Sequence, residues 1–179
     1  TAPEISQTFG EIISNVFLLN YNKVENEKIF SLLELGPGRG LLSKDILRTI
    51  KTLNPIFFKK IKNLYFFEKS KYFFNYLKEL HASTIIFDDI GRIPSNFNII
   101  VANEFFDALP IRQFIKIDGL WNERCVDLDK KKHFHFCHRP AQSQNALHAL
   151  YPNLPNKVYI ETNDPAIKVT SSLAKKISN

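Results

Sequence analysis

Residues 32–42, Leu-Leu-Glu-Leu-Gly-Pro-Gly-Arg-Gly-Leu-Leu, decide how the rest of the chain is read. Upstream, Ile29 to Leu35 (IFSLLEL) is a short apolar run; downstream, Leu41, Leu42, Ile46, Leu47 and Ile50 recur at helical spacing. A buried strand, a tight glycine turn and an amphipathic helix is the economical reading. Glycines at such a junction let backbone N–H groups come close to a ligand, and the helix N-terminus favours negative charge there. The loop is therefore expected to cradle a molecule that carries phosphate or carboxylate. Gly36, Gly38 and Gly40 are spaced G-x-G-x-G, which departs from the G-x-G-x-x-G of dinucleotide sites and disfavours a nucleotide-dependent oxidoreductase. Nor does the Gly-Lys-Ser/Thr ending of a P-loop follow.

The alternation continues outward. Residues 63–68 (NLYFFE), 83–89 (STIIFDD) and 97–104 (FNIIVANE) read as strands and 70–80 (SKYFFNYLKEL) as a helix, which predicts a parallel sheet covered on both faces. Residues 3–19 place Ile5, Phe9, Ile12, Ile13 and Val16 on one face of a helix, with Pro3 in its first turn. After Pro110 the pattern changes to alternating runs, 111–117 and 120–128, around Asp118-Gly119, with 132–138 as a third strand. Residues 139–156, with prolines at 140, 152 and 155, read as a loop with a short helix around Leu147; a strand at 157–161 and a helix from Pro165 follow. The expected organisation is α/β. Residues 1–110 form an N-terminal helix and a cofactor-binding core, 111–156 an antiparallel β appendage on the substrate side, and 157–179 a return to the core.

A chain of 179 residues, 44% hydrophobic and 23% charged, can build a folded core, which excludes a disordered chain. The net charge of +6 is scattered; its densest clusters, Lys59-Lys60 with Lys62 and Lys130 to Lys132, read as solvated turns, and no nucleic-acid partner is expected. No apolar run approaches the roughly 18 residues of a membrane span, and the opening Thr-Ala-Pro-Glu lacks a signal-peptide layout, so a soluble protein is expected. There is no methionine, and the closing SSLAKKISN stops inside a helical pattern, so an incomplete chain is expected. Cys125 and Cys137 lack C-x-x-C spacing and read as small apolar groups in a reducing compartment. His133, His135, Cys137 and His138 are zinc-competent types. On a strand His133 and Cys137 stand roughly 13 Å apart, too far to share a metal bonded at about 2 Å, and no metal is expected.

Acidic residues single out four places along the chain. Glu34 precedes the glycines, where a carboxylate suits a cationic amino group and sulfonium but not a pyrophosphate; this points to S-adenosylmethionine. Glu68 ends the second strand, where α/β nucleoside binders place a carboxylate on the ribose hydroxyls; the alternative is a helix cap before Ser70. Asp88 or Asp89, at the end of the third strand, is placed to accept from the adenine amino group with Ile90 on the base, or simply lies in a solvated turn. In VANEFFDALP (101–110), Glu104, then Asp107, then Asn103 are the candidates to orient a methyl acceptor; alternatively Asp107 caps a turn and Phe105 and Phe106 are core.

PEISQTFGE, LELGPGRG, ANEFFDALPIRQF and WNER occur here in the order found in the MidA-like S-adenosylmethionine-dependent methyltransferases, and the chain resembles that family over nearly its whole length. The resemblance implies a class I (Rossmann-like) methyltransferase fold. For eukaryotic members it implies protein-arginine methylation in assembling respiratory complex I, in the mitochondrial matrix; for bacterial members, a cytoplasmic enzyme. On this transfer Gly36, Gly38 and Gly40 bind the cofactor, Glu68 its ribose and Asp89 its adenine. Glu104 faces the acceptor, PEISQTFGE forms part of a lid, and a protein is the expected partner. A non-catalytic assembly factor that kept the fold and the cofactor is the alternative. The resemblance implies that the family continues past this helix into a further strand and more substrate-side residues, so only part of the sheet and of the substrate side is expected in residues 1–179.

Overall fold

The computed structural model describes residues 2–21, 29–95 and 99–177. The apolar run before the glycines is strand β1, Phe30–Leu35, and all six of its residues are buried. Alternate residues of a strand face opposite sides. Phe30 and Leu32 therefore pack into one apolar cluster, with Leu42, Ile46, Ile50 and Phe57, and Leu33 and Leu35 into a second, with Tyr65, Phe67, Ile90, Val169 and Leu173. A strand buried on both faces is the mark of a central parallel strand. β1 pairs in parallel with β2 (Ile61–Phe67) and β4 (Ile99–Ala102), and β2 pairs with β3 (Thr84–Phe87), giving the order β3-β2-β1-β4. Residues 97 and 98, where the sequence places the start of the fourth strand, lie outside the described residues.

Two compact units divide the chain, Thr1–Ala108 with Val169–Asn179, and Leu109–Lys168. In the first, the segment expected as one helix over 3–19 is two, α1 (Ala2–Ile5) and α2 (Gln7–Tyr21). The break falls at Ser6, whose hydroxyl accepts from the N–H of Thr8 at 3.1 Å, as a helix N-cap does. Gly10 lets α2 lie against α3 (Leu41–Leu53): a Cβ there would stand 2.6 Å from the Cβ of Asp45. α4 (Pro55–Lys60) follows at once, started by Asn54, whose side chain accepts from Phe57 N–H at 2.9 Å, with Pro55 in the first turn. The helix expected over 70–80 is a 3-10 turn, Lys71–Phe73, running into α5, Phe74–Lys78.

The second unit is an antiparallel sheet, order β7-β6-β5-β8. β5 (Arg112–Ile117) and β6 (Leu120–Leu128) turn at Asp118 and Gly119, whose φ values of 49° and 80° fit the primed turn that hairpin twist favours. β6 returns as β7 (Phe134–Pro140) through a loop in which the Asp129 carboxylate accepts from the N–H groups of Lys131 and His133. One correction concerns β8, Tyr159–Thr162. It was expected to rejoin the α/β core, but it pairs antiparallel with β5, and only the far part of α7 (Asp164–Ile177), from Val169, belongs to the first unit. The chain folds back after Tyr151, and Lys157 N–H donates to the carbonyl of Lys116 at 2.8 Å, which sets β8 on the open edge of β5.

Trp121 centres this unit's core with Phe114, Ala141 and Leu147, the last from α6 (Gln144–Leu150). Gln144 behaves as a neighbouring strand would: its Oε1 accepts from Trp121 N–H at 2.9 Å and its Nε2 donates to the Trp121 carbonyl. Gln144→Ala therefore leaves a half-buried backbone donor without its partner. It should cost about 1–2 kcal/mol, read as a lower urea midpoint in the fluorescence of Trp121, the single tryptophan. An unchanged midpoint would show that the side-chain pair contributes nothing.

Candidate active site

Beyond β1 the backbone turns through three left-handed glycines, Gly36 (φ 63°), Gly38 (φ 55°) and Gly40 (φ 73°). Gly36 N–H extends the ladder by donating to the Phe67 carbonyl at 2.9 Å, and Gly40 N–H donates to the Pro37 carbonyl at 2.8 Å. Gly40 is the last residue before α3, whose Lys44 N–H returns to its carbonyl. The three glycines are not equivalent. A Cβ on Gly36 would lie 2.8 Å from the ring of Phe105, and one on Gly40 would collide with Leu80 and stand 2.8 Å from Leu77, whereas one on Gly38 would meet nothing within 4 Å. Gly38 thus borders open space, and Gly40 serves the packing of α3 on α5.

That open space is a cavity of about 140 Å³ lined by Gly36, Pro37, Gly38, Arg39, Glu34, Asn103 and Glu104, among others. Glu34 shares its side of β1 with Leu32 and is 3% exposed. Its carboxyl accepts a short hydrogen bond from the Ser43 hydroxyl on α3. Burial pushes this carboxyl up from 4.5 to about 7, against the opposing pull of the Ser43 hydrogen bonds. Near neutral pH it hovers between its two charge states.

Opposite stand Asn103 and Glu104, just past β4. Glu104 has φ 49°, a left-handed backbone uncommon for a residue with a long side chain, and a cost that functional sites tolerate. Phe105 packs edge-on to Phe67, and Phe106 edge-on to Phe105. Both rings are half-buried and pack against the second apolar cluster. Asp107 is exposed and does not line the cavity.

Glu68 and Asp89 lie outside the cavity lining. Glu68 is half-buried beside the glycine loop: one oxygen accepts from Gly38 N–H at 3.3 Å, the other from Ser70 N–H at 2.8 Å. It therefore caps the turn before Ser70 and also touches the loop. Asp89 accepts from Gly91 N–H at 2.9 Å and caps the 3-10 turn Ile90–Arg92, while Asp88 pairs with Arg92. Sequence reasoning missed Ser43, the hydrogen-bond donor to Glu34, and gave Arg39 no place. Arg39 lines the cavity and forms an ion pair with Glu4 of α1, which with Pro3 also lines it. The i, i+9 relation of Glu34 and Ser43 across the turn was the available signal.

Among the described residues, no three side chains of His, Cys, Asp or Glu gather to hold a metal, and no helix is long and apolar enough to cross a membrane.

The family model described as "Putative S-adenosyl-L-methionine-dependent methyltransferase" matches residues 12–179. A "Protein arginine methyltransferase NDUFAF7 homolog, mitochondrial" of Drosophila melanogaster is 29% identical over 181 residues, covering 88% of this chain and 41% of the relative. The Homo sapiens "Protein arginine methyltransferase NDUFAF7, mitochondrial" is 30% identical over 157 residues, covering 72% of this chain and 35% of the relative. In fold, the chain is similar to a COG1565 superfamily member from Burkholderia thailandensis bound to S-adenosyl-homocysteine, with a TM-score of 0.72 at 23% identity over 97% of this chain and 45% of that one. The chain spans under half the length of these relatives.

Proposed function

The chain belongs to this S-adenosyl-L-methionine-dependent methyltransferase family, and from that premise we propose that it carries the cofactor side of an enzyme that methylates a protein nitrogen, an arginine guanidinium first. The observation that carries the proposal is the shared cavity: a buried carboxyl, a glycine loop and a polar pair after β4 border one space. The space fits the cofactor at Gly38, where a side chain would meet open space, and at Glu34, a buried carboxyl that lines the same cavity.

S-adenosylmethionine supplies an activated methyl group on a positively charged sulfur. Glu34 would balance the cationic charge of the bound nucleoside, and Gly36 and Gly38 would admit it against bare backbone. Gly40 would support the cradle from behind by letting α3 seat on Leu77 and Leu80. Glu68 is proposed for the ribose, exchanging its bond to Gly38 N–H for the sugar hydroxyls, and Asp89 for the adenine edge through the oxygen that Gly91 leaves open. Glu104 would hold the acceptor guanidinium by paired N–H to carboxylate bonds, with Asn103 orienting it and Asp107 acting from the rim. The appendage is proposed as the substrate side. The compartment that follows is the mitochondrial matrix in a eukaryote or the cytoplasm in a bacterium, with complex I assembly as the setting for the former.

Calorimetry with S-adenosylmethionine or S-adenosyl-homocysteine tests the cofactor assignment: saturable binding is expected, and absence of heat with folded protein rules it out. Glu104→Gln keeps shape and removes charge. It should lower methyl transfer about 100-fold with cofactor affinity unchanged, measured with radiolabelled cofactor on a protein acceptor. Full turnover by that variant would remove Glu104 from the acceptor site.

A further inference from the structure

The chain has two cysteines, twelve positions apart in sequence, and the β6–β7 hairpin sets them face to face: Cys125 and Cys137 are register partners. Directly opposed residues of an antiparallel pair project to the same side of the sheet. The type of pair follows from the ladder's two ends. Asp129 N–H donates to the His133 carbonyl and Ala141 N–H to the Trp121 carbonyl, both hydrogen-bonded pairs, and such pairs recur at every second position. Cys125 and Cys137 fall midway between these two and are a hydrogen-bonded pair as well.

Their Cα atoms therefore stand about 5.5 Å apart, within the roughly 4.4–6.8 Å that a disulfide spans. Their Cβ atoms, at the wide end of about 4.5–5.5 Å, exceed the roughly 3.5–4.5 Å that a relaxed disulfide prefers. A bond can close here by a small local adjustment, and the adjustment leaves it easily reopened. Both thiols are free and half-buried, so a small oxidant reaches them.

We propose that Cys125 and Cys137 form a reversible cross-strand disulfide, a redox modification site on the antiparallel unit. With a small-molecule disulfide such as oxidised glutathione as oxidant, one thiolate attacks a glutathione sulfur and releases glutathione thiolate. The second cysteine thiolate then attacks the mixed disulfide and releases the other glutathione thiolate. Two protons leave the protein, its two thiols are oxidised and one glutathione disulfide is reduced to two thiols. Reduced glutathione runs the same steps backward.

The test treats the whole 179-residue chain with oxidised glutathione and reads intact mass, then repeats the reading after reduced glutathione is added. The expected result is a loss of two hydrogens with no retained adduct, restored by the thiol. Trypsin cuts at Lys130, Lys131 and Lys132, between the two cysteines, so the oxidised sample yields two peptides joined only through sulfur. Cys125→Ser and Cys137→Ser each keep one thiol and should retain a glutathione adduct instead. The proposal is overturned if the wild-type chain carries two adducts, links to a second copy, or stays unmodified where the single variants react. A bond that forms but resists reduced glutathione overturns its reversibility. Because the readout is mass on soluble chain, a loss of stability in either variant does not obscure the wild-type result.

Discussion

Glu34→Gln should make the protein more stable at pH 8 and a poorer binder of S-adenosylmethionine. The carboxyl is almost fully buried, and in the folded protein it titrates near 7 instead of 4.5 because burial penalises its charged form. The neutral form is the one the fold accommodates. Its contribution is fully present below pH 4.5, where the folded and unfolded chains both keep the proton. It declines as pH rises from 4.5 through about 7, as the unfolded chain ionises at no cost and the folded one cannot. At roughly 1.4 kcal/mol per pH unit the loss at pH 8 is on the order of 3 kcal/mol. An amide at position 34 still accepts from Ser43 and has no charge to desolvate. The two proteins should match near pH 4.5 and diverge up to pH 8, in urea midpoints taken across that range. Parallel curves would mean that Glu34 is not the source.

The same carboxyl predicts a proton released on binding. A cationic nucleoside beside Glu34 favours the ionised form, so near neutral pH the bound state holds fewer protons than the free one. Binding heats in two buffers of different ionisation enthalpy should therefore differ, and the difference should vanish in Glu34→Gln together with at least about tenfold of affinity. Burial of this carboxylate thus disfavours the empty fold and favours the loaded one.

Gly38→Val should abolish cofactor binding, by about 100-fold or more, with a modest loss of stability. A β-branched residue at φ 55° is strained on the order of 1–2 kcal/mol, and its side chain enters a cavity of only about 140 Å³. Gly40→Ala is the control. Its Cβ meets Leu77 and Leu80 and not the cavity, so it should lower the melting temperature by an amount equivalent to about 1–3 kcal/mol and reduce affinity in the folded fraction far less than Gly38→Val does. Calorimetry reads the first variant and thermal unfolding the second. Undiminished affinity in Gly38→Val would take the loop out of the site.

The contrast between these glycines shows what the sequence could and could not disclose. The strand, turn and helix from Ile29 to Leu53 were legible because apolar period and glycine punctuation are local signals. So were the hairpin at Asp118-Gly119 and the helix covering Leu147. That Gly40 faces Leu77 and Leu80 while Gly38 faces open space was not legible, since both glycines sit at left-handed φ and differ only in what lies across from them. Residues 55–60 carry a local signal of their own, Asn54 as an N-cap followed by Pro55 in the first turn. The strand near Tyr159 was visible, but an alternating run does not state its partner, and β5 proved to be it. Of the acidic candidates, Glu34 and Glu104 reach one cavity with Asn103. Glu68, Asp89 and Asp107 do not line it, because capping bonds to the nearby backbone hold the first two and Asp107 faces solvent. The opposition of Cys125 and Cys137 depends on the length of the loop between their strands, which spacing in the sequence does not convey.

The division of the chain also bears on its synthesis. One face of the parallel sheet, at Leu33, Leu35, Tyr65 and Phe67, is closed by Val169 and Leu173, and Lys176 then ties down the carbonyls of Gly91 and Ile93. A ribosome delivers the strands of the parallel sheet long before these arrive, and delivers the whole of the antiparallel unit in between. The later-made unit is therefore the one able to finish first, while that face of the sheet waits with only Ile90, Ile93, Phe105 and Phe106 against it, a nascent-chain interval in which part of an apolar surface stays open to a chaperone.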